Sequence, residues 1–277
     1  MKHYFLLFLL SALAWGCNDS EGDNHSGTGS ETQQPVSPDE ILPRRLVSVD
    51  VTPMGDSPYS ETYAYDGQGR LTSITFGDGD TYTYTYTDNT IVAGIAGDSE
   101  EITYRLKNGR IVTARCEDVK DDWWSEMLFN YDAVGYLASF SSTGDEGFEF
   151  DGALAYALNG VLFKSRGNKW DATLSIEFDR ARLNNLNLDF YGEFCWGLAN
   201  VLGEYCQFYL FGVGGQRLRY LPAATTIIEH DEEEGQWKMV IRYVYHMDGD
   251  YLSEVEIYTD EGEGESKEPT RIVFHYE

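Results

Sequence analysis

The chain has 277 residues, with 47 acidic side chains against 20 basic ones and a formal net charge of −27. That balance excludes nucleic acid or anionic lipid as a partner, because phosphate binding needs clustered Lys and Arg. Aromatic residues make up 14% of the chain, led by 20 Tyr, and 28 Gly accompany them. Such a mixture favours strands and tight turns over helices.

The first predicted element is an export signal over residues 1–16. Lys2 supplies the positive start, Tyr4 to Leu10 form an apolar run, and Ser11-Ala12-Leu13-Ala14-Trp15-Gly16 leads to Cys17. The run is far shorter than the ~20 residues a membrane helix needs, so it reads as cleavable. A small residue directly before a cysteine resembles the bacterial lipobox, although Trp15 is an unusual occupant of its place. The resemblance implies cleavage before Cys17, a diacylglycerol on its thiol, and a membrane partner reached through that lipid. Two or more acyl chains make a stable anchor, at ~0.8 kcal/mol per buried methylene.

Residues 17–43 form the next segment, a polar tether rich in Ser, Gly, Asp and Glu, with little to bury before Ile41. As a flexible coil it would span on the order of 25–30 Å. Asp19, Glu21 and Asp23 follow the cysteine closely. An acidic start of this kind is similar to the signal by which Bacteroidales-type bacteria send lipoproteins to the outer face of the outer membrane.

Residues 44–277 read as one all-β domain, a length ordinary for a single all-β unit. Its organising feature is Tyr-x-x-x-Gly-x-Leu, at Tyr65 to Leu71, Tyr131 to Leu137 and Tyr156 to Leu162, with looser copies at Leu106 to Ile111 and His246 to Leu252. In each, a strand ends at the Tyr, Asp or Asn starts the turn, and Gly takes the left-handed position of a bulged hairpin. The next strand begins at the Leu or Ile. Between turns, Thr81 to Thr87 alternates Thr and Tyr, and Ile272, Phe274 and Tyr276 share a face. Sequential hairpins make an antiparallel meander that curls into a barrel or a strongly curved sheet. Residues 191–215 are glycine-rich and aromatic and break the alternation. They read as an irregular plug at one end, and as the first place to look for a functional loop.

Tyr65-Asp66-x-x-Gly69-Arg70-Leu71-Thr72 is similar to the YD repeat of Rhs-type surface proteins. The wider pattern adds Thr87-Asp88-Asn89-Thr90-Ile91, Leu106 to Ile111, Asn187-Leu188-Asp189, and Leu221-Pro222 before a final hairpin. Over residues 44–277 it resembles a Bacteroidales lipoprotein family of unknown function with a porin-like fold. The resemblance implies a barrel-like all-β fold and no particular activity. A lipid-embedded barrel fits the strands poorly, since Tyr and Thr stand where a lipid-facing band wants Leu, Val and Phe.

Catalytic motifs are not in evidence: no Gly-x-Ser-x-Gly, His-Glu-x-x-His, phosphate-binding glycine loop or Cys-x-x-Cys occurs. Three cysteines, Cys116, Cys195 and Cys206, follow Cys17, so at least one thiol stays free, and spacing leaves a Cys195–Cys206 bridge open. No metal or cofactor is expected. Asp78-Gly79-Asp80 and Asp248-Gly249-Asp250 have too few oxygens for calcium and read as turns, and the acidic runs 231–234 and 260–265 read as solvated loops. His246 and His275 fall in or beside neighbouring predicted strands and are expected to be surface residues rather than a site. The ligand-like residues are Trp123, Trp124 and Trp170, which stand beside Asp and suit sugar stacking, with sheet packing as the alternative. The function expected is a non-enzymatic binding or scaffold module for a glycan or protein, facing the cell surface or the periplasm. The alternatives are a glycan-active enzyme using paired carboxylates and a structural component of the envelope.

Overall fold

The computed structural model describes Pro35, residues 40–95, 97–118, 120–145, 150–167, 171–185, 213–231 and 235–262, Gly264, Ser266 and residues 268–277. The export signal, Cys17, Trp170, Cys195, Cys206 and most of the expected plug lie outside these residues.

Among the described residues sixteen strands follow one another. The first eight are β1 (Leu46–Thr52), β2 (Tyr59–Tyr65), β3 (Leu71–Thr75), β4 (Thr81–Tyr86), β5 (Thr90–Ile95), β6 (Glu100–Lys107), β7 (Arg110–Asp118) and β8 (Trp123–Tyr131). The second eight are β9 (Leu137–Gly144), β10 (Phe150–Ala157), β11 (Gly160–Gly167), β12 (Asp171–Leu183), β13 (Tyr220–Asp231), β14 (Gly235–Asp248), β15 (Tyr251–Asp260) and β16 (Thr270–Tyr276). Each pairs antiparallel with its sequence neighbours, and β1 pairs with β16, from Leu46 opposite Tyr276 to Thr52 opposite Arg271. The meander therefore closes into a barrel and leaves no free strand edge. Leu221-Pro222 lies at the start of β13, ahead of three successive hairpin pairings rather than the one its resemblance implied.

Closure turns the period-two alternation into an inside and an outside. Tyr82 and Tyr84 are buried while Thr83 and Thr85 face out, and Ile272 and Phe274 point in, as their spacing predicts. Ile102, Tyr104, Ile111, Ala114, Met127 and Phe163 are fully shielded, so these inward rows meet packed side chains rather than water. The outward rows carry charge instead, including Glu101, Arg115, Lys164, Arg166, Glu177 and Arg271. A lipid-facing wall has the opposite polarity, and a Lys or Arg at mid-bilayer costs about 2–4 kcal/mol.

The recurring turns have a specific chemistry. Asp132 Oδ1 accepts the backbone N–H groups of Val134, Gly135 and Tyr136 at 2.9, 2.6 and 2.9 Å. Asp66 does the same for Gln68 and Arg70, at 2.8 and 2.9 Å. The register slips by one residue at Ala64/Tyr65, Arg105/Leu106, Asn130/Tyr131 and His246/Met247, as bulged hairpins require. Gly135 has φ +106°, which only glycine adopts without strain. Gly160 departs from the expected pattern. Its φ is ordinary, and a Cβ there would overlap the Ile176 carbonyl oxygen of β12, so close approach rather than turn geometry demands glycine. Replacing Asp132 by Ala should cost about 1 kcal/mol, because three amides lose one shared acceptor and regain only water. A thermal melt followed by circular dichroism checks this; an unchanged midpoint would show that the cap carries no stability.

Candidate functional site

Two constructions stand out: a ring of tyrosine clasps at one end of the barrel, and a groove on its outer wall toward the other end.

The clasps explain the repeat. Each tyrosine that ends a strand donates its hydroxyl to a carbonyl at the start of the preceding strand. Tyr65 reaches Leu46, Tyr86 reaches Leu71, Tyr156 reaches Leu137 and Tyr276 reaches Leu252, all at 2.7 Å. Tyr131 reaches Ile111 and Tyr245 reaches Pro222, both at 2.6 Å. Every hairpin so treated is joined by its turn at the far end, and the hydroxyl ties its open end. In five of these clasps the residue before the acceptor covers the ring, while Arg182 lies 5.8 Å over that of Tyr245. Arg45, Arg70 and Arg110 lie 5.6, 4.5 and 5.6 Å from the ring centres of Tyr65, Tyr86 and Tyr131. Tyr136 stacks on Tyr156 at 4.6 Å, and Tyr251 meets Tyr276 at 5.2 Å. Burial pushes the Tyr86 hydroxyl up to about 12 and moves Tyr131 and Tyr276 in the same direction. In β6 and β12, Leu106 and Phe178 take the tyrosine's place, and their N–H groups bond Asn89 and Asn159.

The N-terminal approach also docks at the clasp end. Arg219 holds Glu40 through two bonds of 2.8 and 3.1 Å and reaches the Pro35 carbonyl at 3.2 Å. The Leu42 N–H bonds the Asn185 carbonyl at 2.9 Å. The last residues before β1 are thus already fastened to the barrel. At the opposite rim Met54, Tyr59, Trp123 and Trp237 are exposed.

The groove, of about 660 Å³, crosses the outer wall from β8 to β13. Its central row is a chain of cross-strand partners: Ser141 opposite Asp151, Asp151 opposite Arg166, Arg166 opposite Asp171, and Asp171 opposite His230. Lys164 lies two residues from Arg166 on the same strand and face. The floor is shallow because Gly152 and Ala153 leave no bulk there. Opposite charges alternate along this row, yet none of Asp151, Lys164, Arg166, Asp171 and His230 forms an ion pair or side-chain hydrogen bond with a described residue. Elsewhere on the wall such groups do pair: Arg70 with Asp66, Arg115 with Glu117, Arg271 with Glu254, and His275 with Asp50.

Trp123 and Trp124 fall on opposite faces, as adjacent strand residues must. Trp123 stands at the rim with 36% of its surface exposed. Trp124 points outward, and Arg115 lies 4.4 Å over one face of its ring. His246 and His275 are separated by β15 and do not meet. His275 bonds Asp50 at 2.7 Å, and His246 stands 3.7 Å from Glu256. With Glu254 these two place three possible metal ligands within 4.8 Å. Arg271 already takes Glu254 at 2.6 and 2.9 Å, so a cation would have to displace a guanidinium. Asp78 bonds the Asp80 N–H at 3.0 Å, and Asp260 bonds the N–H groups of Gly262 and Gly264, which is turn chemistry. Cys116 is buried and in no disulfide. The groove residues gave no signal in the chain, because positions 151, 166, 171 and 230 become neighbours only through register.

The family described as Teneurin YD-shell matches residues 43–164, from the approach to β1 into β11. A porin-like protein from Bacteroides uniformis superposes with a TM-score of 0.65 and 17% identity, over 86% of this chain and 99% of that one. A porin-like protein from Bacteroides vulgatus gives 0.59 and 13%, over 84% and 99%. No curated protein matches. What the chain shares with these proteins is a closed antiparallel barrel with YD-like hairpins.

Proposed function

We propose that the chain is a non-enzymatic binding or scaffold module of the bacterial outer membrane, held there by a lipid on Cys17 and presented on the tether of residues 17–43. The observation that carries this reading is the polarity of the barrel. Its inward rows are mainly apolar and packed, with Glu61, Ser142, Ser165 and Thr225 among them, and its outward rows carry charge, which a lipid-facing belt would not. Attachment to a membrane must then come from another part of the chain, and Cys17 offers the chemistry for it. Docking of Glu40 and Leu42 at the clasp end directs that end toward the membrane. The opposite rim and the adjoining groove then face outward.

Metabolic labelling with an alkyne fatty acid in a Bacteroidales-type host tests the anchor. The wild-type chain should take up label and sediment with outer membranes, whereas Cys17→Ser should lose both. A labelled Cys17→Ser chain, or an unlabelled wild type, would overturn the reading. Digestion of intact cells by added protease separates surface display, which exposes the barrel, from a periplasmic position, which protects it.

A further inference from the structure

We infer that the groove over Gly152 is a binding site for a carboxylated oligosaccharide, its acid group held by Lys164 and Arg166 and its hydroxyls by the flanking carboxylates. This deepens the reading of the chain as a binding module and rests on it.

The argument begins with charge left unused. Cross-strand Asp–Arg neighbours ordinarily pair and contribute about 0.2–1 kcal/mol to a sheet. Here Asp151, Arg166 and Asp171 are consecutive partners, and none of them closes an ion pair with a described residue. Their side chains line a concavity of about 660 Å³, a volume within the range of small-molecule sites. Two cations on one strand, Lys164 and Arg166, stand between the carboxylates of Asp151 and Asp171 on a chain whose net charge is −27. A planar guanidinium beside an ammonium suits a carboxylate.

The other lining groups narrow the ligand. Asp151 and Asp171 only accept hydrogen bonds, and the oxygens of a phosphodiester backbone have none to donate to them, so the lining does not suit a nucleic acid. An extended peptide usually adds a strand to a sheet edge, and the closed barrel has none. The groove is open and its Gly152–Ala153 floor is shallow, so it gives a large side-chain anchor little depth to enter. What remains is a molecule rich in hydroxyls that also carries a carboxylate. Hydroxyls donate to Asp151 and Asp171, the Ser141 hydroxyl adds a further partner, and the carboxylate accepts from Lys164 and Arg166.

Titration calorimetry on the full chain in detergent, with tetragalacturonate and its methyl ester as probes, tests this. Tetragalacturonate should bind saturably and weaken as salt rises. The ester has the same hydroxyls without the charge, and should bind at least 10-fold more weakly. Lys164→Gln with Arg166→Gln should reduce affinity at least 10-fold at an unchanged melting temperature, while Lys107→Gln, away from the groove, should leave it unchanged. Equal binding of ester and acid, indifference to the double variant, capture of peptides in place of the sugar, or no saturable uptake at millimolar concentration would overturn the assignment. The lipid-labelling result does not depend on the groove, and mass spectrometry of the recovered tetragalacturonate reports on catalysis separately. Intact sugar supports a binding module; shortened sugar would replace that reading with a glycan-cleaving one while leaving the site in place.

Discussion

Removing the hydroxyls of Tyr86, Tyr131 and Tyr276 together, as Phe, should lower the stability of the barrel by ~3–5 kcal/mol. Each of the three donates to a strand-start carbonyl at 2.6–2.7 Å. A lost bond of this kind leaves a shielded acceptor and costs roughly 1–1.5 kcal/mol. The three belong to hairpins far apart around the barrel, so their effects should add. A domain of this size loses about 2–4 °C in Tm per kcal/mol, so a drop of roughly 6–20 °C is expected at neutral pH. The same tyrosines predict how stability falls with alkali. An unfolded tyrosine ionises near pH 10, whereas burial holds Tyr86 protonated up to about 12 and shifts Tyr131 and Tyr276 the same way. Their contribution is complete below pH 10. Above it the unfolded chain releases protons that the folded chain keeps, so stability declines through the window between pH 10 and the raised folded values. The triple Phe variant, less stable at pH 7, should therefore show a flatter decline above pH 10 than the wild type. Parallel declines for the two proteins would mean that other groups govern alkaline unfolding.

The second large effect lies under the groove floor. Gly152 faces inward, and a Cβ there would overlap the rings of Phe140 and Phe163, which stack at 5.8 Å and 15°. Both rings are buried, at 2% and 0% exposure, and have little room to move. Gly152→Val should cost about 1–3 kcal/mol through overpacking, and Phe140→Ala about 3–5 kcal/mol through lost burial and a cavity. Combined, the valine fills part of the space the ring leaves. The double variant should then be more stable than Phe140→Ala alone, reversing the sign of the valine's effect. Urea denaturation of the four proteins gives the coupling directly. Strict additivity would show that the rings and the glycine do not share one space. The same contact accounts for the shallow floor outside, since a strand carrying Gly152 and Ala153 adds no bulk on either face.

Strand identity, hairpin positions and the sorting of residues into two faces were legible from local information. Alternation in Thr81–Tyr86 is a property of consecutive residues, and the Asp132 and Gly135 turn is stabilised within five positions of the chain. The acidic charge and the tyrosine repeat were equally local. The hydroxyl targets were not, because each tyrosine and its acceptor lie 15–24 residues apart and meet only when a hairpin folds back. The approach to the barrel shows the same division. Glu40 reads as tether by composition, and it docks only because Arg219, 179 residues later, arrives beside it.

What the sequence determined by itself is an all-β meander of bulged hairpins with apolar and polar faces, because strand period and turn chemistry act over a few residues. Only the tertiary structure decided that the meander closes through β1 and β16, which face is inside, and that Asp151, Arg166, Asp171 and His230 form one row without ion pairs among the described residues. The reason is register. A shift of one residue between strands would turn any of these side chains to the other face, and register depends on closure of the whole barrel rather than on any segment of it.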